Sequence, residues 1–408
     1  MESTSSKPTA TSLVKQKMTT SMVLLMSIAI GLTVASNYYA QPLLYSMGEQ
    51  FSLSAAAAGS IVTVAQLSYA AGLVLFVPLG DVLERRNMIV AMSVMAAIGL
   101  MVTASASSIA VVLFGTALAG CMSVAAQILI PFASTLATKH ERGRVVGTLM
   151  AGLLLGILLA RVAAGIVADL YNWRAIYWLA AIMMLAASLM LRLVLPKSKS
   201  ATDLSHKDLL VSLFHLYIDE SILRSRALIG VFLFASFGVF WTPLAFLLAG
   251  PPHGYSNTAI GLFGLAGAAG AMAARPFGHL ADRGLGNRAT ILGLMLLLLS
   301  WLPIMLGQQH VIALIIGAVL LDMGIQGVHV ANMSAVYRLA PEKRSRLTAA
   351  MMAGNFAGAA SGSFIGAWIF PIAAWTGVSI AGALFAAAAL AYAVVGTYSP
   401  SPCQLDSN

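Results

Sequence analysis

Charge is what this 408-residue chain has least of: only 9% of its residues are Asp, Glu, Lys or Arg. A water-soluble domain carries about 25% charged residues because its surface faces water, so a soluble enzyme or binding domain is excluded. Cysteine is nearly missing too. Cys121 lies in an apolar run and Cys403 near the C-terminal end, which excludes a disulfide framework and a four-cysteine metal site. No Walker-type glycine-rich phosphate loop, H-E-x-x-H pair or nucleophile elbow occurs. ATP hydrolysis and the common hydrolytic chemistries therefore have no machinery here. No catalytic residue, metal site or cofactor is expected, and the chain does not read as an enzyme.

What is present is apolar. Hydrophobic residues make up 59% of the chain, and the mean hydropathy is +0.88. They fall in runs of about twenty, the length that crosses a bilayer as a helix. The runs predict an all-α membrane protein with twelve transmembrane helices, at 18–44, 55–80, 87–106, 109–137, 145–168, 174–195, 226–249, 258–281, 288–306, 311–339, 347–370 and 374–397. A polar tail, 1–17, precedes them and a second, 398–408, follows. Val34-Ala35-Ser36 offers the small residues of a signal-peptidase site, but the apolar stretch exceeds a signal core and more spans follow, so the first helix is expected to stay uncleaved. One long polar stretch, 196–225, divides a six-helix bundle at 18–195 from another at 226–397. Within it Leu209, Leu210, Leu213, Phe214 and Tyr217 recur at helical spacing, the pattern of an amphipathic helix on the membrane surface.

All lysines and arginines except Arg161, Arg174 and Arg275 lie in the N-terminal tail, the central stretch or the even-to-odd connectors, or within a turn of them, on one side if the helices alternate. The positive-inside bias puts that side, with both termini, in the cytoplasm of a cell whose inner (plasma) membrane holds the chain. The asymmetry accounts for the pI of about 9.7 without a nucleic-acid partner.

The halves repeat. Lys139 to Arg144 (KHERGR) is echoed by Pro341 to Arg346 (PEKRSR), 202 residues later, and Met150-Ala151-Gly152 by Met352-Ala353-Gly354 at the same offset. Pro42-Leu43 returns as Pro243-Leu244 and Asp81 as Asp282, both at 201. Parallel six-helix repeats with a midplane site at their interface are a transporter architecture.

After the second helix stands Val77 to Arg86 (VPLGDVLERR), and after the eighth Gly278 to Arg288 (GHLADRGLGNR). Both resemble the G-x-L-A-D-R-x-G-R-R loop of the major facilitator superfamily, a resemblance that extends over nearly the whole chain. The first copy keeps the aspartate and paired arginines but lacks both glycines; the second has one extra residue. Asn37 to Leu44 (NYYAQPLL) looks like the sugar-efflux and drug:proton antiporter branch. That branch's G-x-x-x-G-P-x-x-G-G of helix 5 survives only as Gly152 and Gly156, with Arg161 in place of the last glycine, and its helix 4 arginine position holds Thr116. The resemblance implies two pseudo-symmetric bundles, a working monomer, and a gate made by Asp81, Arg85, Arg86, Asp282, Arg283 and Arg288. Setting topology is the alternative duty for those arginines.

Charges at mid-bilayer cost about 2.5–3.5 kcal/mol each on insertion scales, and two lie deep, Arg161 and Asp322. A guanidinium keeps its proton, so Arg161 is expected to anchor an anionic group or pair with Asp322. Asp322 is the expected proton-coupling group, and a permanent structural pair is the alternative. Asp322, Gln326 and His329 stand at i, i+4 and i+7, on one face. His329 is the second titrating candidate, and Gln127 is its counterpart in the first half. Asn37 and Gln41 form another i, i+4 pair expected to point inward, and Trp241 is expected to line the cavity; Arg275 should snorkel at a helix end. The partners so implied are a small organic solute, protons and the lipid bilayer. The reading is a secondary transporter, exporting its solute against protons. Uptake by symport or uniport stays open, as does, more remotely, a non-transporting receptor.

Overall fold

A computed structural model of the chain describes residues 18–138, 140–198, 211, 215–339 and 344–398. The tails, and most of the central stretch with its expected amphipathic helix, lie outside the described residues. So do residue 340 and, of the two repeated basic motifs, Lys139 and residues 341–343.

Every described element is helical. The N-terminal half contains α1 (Thr20–Ala35), α2 (Ala55–Leu75), α3 (Arg85–Ala104), α4 (Ile109–Met122, resumed over Ala125–Leu136), α5 (Arg142–Leu170) and α6 (Trp173–Val194). The C-terminal half contains α7 (Ser221–Trp241), α8 (Asn257–Leu262, resumed over Ala266–Leu280), α9 (Gly286–Leu306) and α10 (Val311–Tyr337). A last helical run, Arg344–Tyr398, breaks at Ala373 and Ala374 into α11 and α12. Among the described residues nine segments are long and apolar enough to cross a membrane, the last of them being this broken run. Two shorter apolar helices, Thr20–Ala35 and Asn257–Ala268, complete a set consistent with twelve crossings.

Polar residues start several helices where sequence placed them. Thr19, Ser54, Asn172 and Ser256 each accept a backbone N–H of the first turn, which answers donors that a helix start leaves unpaired. Glu84 does so for α3. Its carboxylate accepts from the backbone of Arg86, Asn87 and, across the loop, Ser198. Burial pushes its pKa up, but those three donors outweigh burial and hold it below the usual carboxylate value.

Two helices expected to run through are broken. The first stops at Ala35 and restarts after a short 3-10 turn, Gln41–Leu43, as Leu44–Gln50. The seventh stops at Trp241 and restarts at Leu244. Pro42 and Pro243 are the cause: neither has an N–H to return to the preceding turn. The breaks are repeat-related, so both halves expose backbone and side chains at the same level.

Close approach fixes the pairing of helices. Gly152 and Gly156 of α5 lie on Ser27 and Gly31 of α1 with no room for a Cβ, and Gly358 and Gly362 of α11 lie likewise on Val231 and Ala235 of α7. Small-xxx-small spacing permits this backbone contact, which is how helices attract in lipid, where burial of apolar area gains nothing. The halves meet along α2 and α11, from Gly59 against Ala367 to Tyr69 tilted against Phe356 with ring centroids 4.3 Å apart, and where α5 crosses α8.

Candidate transport site between the two halves

Arg161 projects from α5 at that crossing and is 4% exposed. Its Nε donates to Gln41 Oε1 at 2.7 Å, and its Cζ sits 3.9 Å from the Trp241 ring centroid and 5.2 Å from that of Tyr38. Nη2 is buried with no hydrogen-bond partner. The proline breaks make this possible, because Gln41 and Trp241 are the residues at the two interruptions. Asp322 enters from α10, 7% exposed, and accepts one long hydrogen bond, 3.4 Å, from Trp241 Nε1. Arg161 and Asp322, considered above as a pair, form no ion pair with each other in this structure. Trp241 touches both, its face under the cation and its N–H toward the carboxylate. A cation over an indole face and a charge-assisted N–H bond are each favourable, but neither neutralises the charge it meets.

Space for the two charges comes from α8. Gly261, Gly264, Gly267 and Gly270 recur every third residue, through a 3-10 stretch at Phe263–Leu265 whose period is three. Gly261 and Gly264 lie against Arg161 and Gly270 against Asp322. A methyl group at Gly267 would stand 3.2 Å from Asp322 Oδ2 and 3.9 Å from Arg161 Nη1. That glycine marks the point from which both charges can be reached. The ladder escaped sequence reading, although its period was there to be seen.

The other expected site residues fall nearby or apart. Asn37 is buried against Gly120 of α4, and neither of its amide atoms has a partner. Gln127 donates to Tyr69 Oη at 3.3 Å. Gln326 is half-buried with no hydrogen bond among the described residues. His329 sits two turns below Asp322, edge-on to Phe234 of α7 and 3.5 Å from Asn355 Nδ2. It lines a groove of about 440 Å³ along the last turns of α10. Asn355, fully buried, was not singled out from the sequence.

The hydrogen bonds described for Arg85 and Arg86 of the first arginine-rich loop stay within one half. Arg85 Nε donates to Gly80 O at 2.7 Å and Arg86 Nη1 to Leu195 O at 3.3 Å, both inside the N-terminal half. Asp282, Arg283 and Arg288 are exposed, with no partner among the described residues; Arg275 is exposed, at the end of α8. The side chain of Asp81 lies outside what is described. A polar tie across the halves stands at the opposite end. Asp169 Oδ1 accepts from Asn257 N and Nδ2 at 3.1 and 2.8 Å, Asp169 Oδ2 from Thr258 N at 2.7 Å, and Ser46 donates to Asn257 Oδ1 at 2.8 Å. A carboxylate at the positive end of α8 is well placed. The molecule is thus latched at that end, while the groove by His329 opens toward the basic one.

A buried, two-charge site between repeated helical halves is the arrangement of a membrane transporter. The chain belongs to the Major Facilitator Superfamily, whose sequence profile matches residues 26–296 and 252–406. It is 53% identical over 365 residues to Uncharacterized transporter YgaY of Escherichia coli O157:H7, covering 90% of this chain and 93% of the relative. It is 30% identical over 361 residues to Probable transporter SCO4007 of Streptomyces coelicolor, covering 88% and 84%. Its fold matches a bacterial homologue of the human lysosomal transporter Spinster in an inward-facing, unoccupied conformation, with a TM-score of 0.76 at 14% identity over 93% of this chain and 98% of that one.

Proposed function

We propose that the protein is a secondary active exporter that moves a small organic solute across the inner membrane by alternating access, in exchange for protons. The observation that carries this is the Arg161–Trp241–Asp322 group: two opposite charges, both nine-tenths buried at the interface of the halves, neither paired with the other. Arg161, with Nη2 unpartnered, would hold an anionic group of the solute. Asp322 would carry the proton, since a carboxyl group can take up and release one whereas a guanidinium cannot. Asn37, Gln41, Gln127, Gln326 and Trp241 would complete the solute contacts, with His329 as a second proton carrier on the path to the groove.

The arginine-rich connectors support a cytoplasmic position for the open end and both termini. The loop residues Asp81, Arg85, Arg86, Asp282, Arg283 and Arg288 would close that end when the Asp169 latch releases. Resemblance of Asn37 to Leu44 to the efflux branch supports the direction. The solute is expected to carry a carboxylate or comparable anion; quaternary ammonium compounds would meet an uncompensated cation at Arg161. The test is internal pH in energised, inverted vesicles during addition of a solute panel, wild type beside Asp322→Asn. Collapse of the gradient by a solute in wild type alone supports proton exchange through Asp322. Equal collapse in the variant makes Asp322 structural and ends this part of the proposal.

A further inference from the structure

Beside the groove lined by His329, and sharing Arg338 with it, the first turns of α7 and α9 and the ends of α10 and α12 line a second cavity of about 470 Å³. It lies at the arginine-rich end of the C-terminal half, and nothing in the transport cycle above uses it. Arg226 and Arg338 both line it, beside Ser225, Thr290 and Tyr392, and none of its described lining residues is an aspartate or glutamate.

Arg226 is held from behind. Its Nη1 donates to Thr290 Oγ1 at 2.8 Å and Asn332 Oδ1 at 3.2 Å, and Nη2 to Asn287 Oδ1. Asn332 in turn donates to the Arg226 carbonyl. These acceptors are all neutral. They answer the N–H groups but leave the charge uncompensated, and a half-buried charge without a counter-charge is costly. Arg338 uses one nitrogen on the Ala281 carbonyl, at 2.7 Å, and is otherwise exposed. The starts of α7 and α9 add their positive dipole ends to the same spot.

We propose that this cavity is a binding site for a phosphate-bearing anion, its phosphate held between Arg226 and Arg338. Guanidinium groups suit this ligand because their planar forks engage two phosphate oxygens at once. The hydroxyls of Ser225 and Tyr392 can donate to what remains. The rim is greasy as well as basic: Ile222, in the wall, is 47% exposed, and Val395, one turn beyond Tyr392, is 66% exposed. A basic pocket between helix ends at this level matches an anionic lipid headgroup with its chains along those residues. A soluble phosphate ester offers the same chemistry from the aqueous side.

The experiment is native mass spectrometry of the full chain in neutral detergent, titrated with phosphatidylglycerol and, separately, phosphatidylcholine of the same acyl chains. Wild type is expected to retain one phosphatidylglycerol at roughly tenfold lower concentration than phosphatidylcholine, as charge-assisted hydrogen bonds predict. Arg338→Gln should remove most of that preference. Ser225→Trp, which fills the cavity without altering charge, should abolish retention. Arg226 is left intact because its variants risk the fold. Glycerol phosphate in millimolar excess separates the sources: displacement of the lipid assigns the site to free phosphate esters, and no displacement assigns it to the membrane. Equal retention of the two lipids, or wild-type retention by both variants with unchanged melting, overturns the proposal.

Discussion

In the N-terminal half the first helix stops at Ala35 and restarts past Pro42, and in the C-terminal half its repeat stops at Trp241 and restarts past Pro243. The carbonyl of Gly80 is capped by Arg85 and its repeat, the carbonyl of Ala281, by Arg338. Gly156 packs on α1 as Gly358 packs on α7. Backbone devices are therefore shared between the halves. The side chains of the site are not. Under the same offsets, Arg161 corresponds to Ser363, Asp322 to Gly120, Trp241 to Ala40, and Gln41 to Thr242. Each charge or ring in one half faces a small or neutral residue in the other. The repeat supplies two rigid bodies that can rock, and departures from the repeat supply what they rock around. Two identical halves would have put like charges at symmetric places, with a repulsion that burial would sharpen.

The strongest way to break this asymmetry is to impose symmetry. Arg161→Ser gives α5 the residue of its repeat. It removes a buried cation, strands Gln41 Oε1, and leaves Asp322 without its counterpart. Removing one member of a buried charge group costs about 2–5 kcal/mol, so the initial rate of solute movement in inverted vesicles, normalised to protein, is expected to fall roughly hundredfold or more. Arg161→Lys, which keeps the charge but not the fork, should recover part of it. Transport at the wild-type rate in Arg161→Ser would remove Arg161 from the site.

Trp241→Ala, copying Ala40, should do less. It deletes a cation–π contact of about 0.5–2 kcal/mol and one hydrogen bond of about 1 kcal/mol, which together raise the half-saturating solute concentration roughly ten- to hundredfold. Trp241→Phe sharpens the comparison, since it keeps the ring under Arg161 and loses only the N–H toward Asp322. If Phe behaves like Ala, the indole N–H is the group that matters; if it behaves like wild type, the ring is.

The fold was legible in the sequence because membrane helices are written in long apolar runs, and the repeat because motifs at both ends of several helices kept an offset of 201 or 202. Arg161 and Asp322 were legible for a different reason: a charge within an apolar run is too costly to overlook. Their arrangement was not. Periodicity gives the face of a single helix, whereas the Trp241 ring between the two charges depends on where α7 breaks relative to α5 and α10. The Asp169 latch was hidden because an acid at a helix end has many uses, and only the position of α8 in space gives it Asn257 and Thr258. The apolar pattern reads as one rod over 18–44, since it continues through Pro42 although the hydrogen bonding cannot.

The smallest effect expected concerns the starts of α3 and α9, repeat-related and differently capped. Glu84 accepts three backbone N–H groups, whereas Leu285 at the matching place gives α9 no side-chain cap. Glu84→Leu makes the first half like the second and should lower the melting temperature of the purified protein by about 1–3 °C at neutral pH. The sign with pH follows from the depressed pKa of Glu84 in the fold. The ionised carboxylate stabilises the folded state above the ordinary carboxylate pKa of about 4, and that contribution is lost as pH falls through the lower folded value. The gap between wild type and variant should therefore be widest near neutrality and close in acid, while Glu84→Gln, which keeps an acceptor oxygen, should fall between them. A gap of constant size across that range would mean that α3 is held by the packing of its first turn, as α9 must be, and that the two halves differ less at this point than their caps suggest.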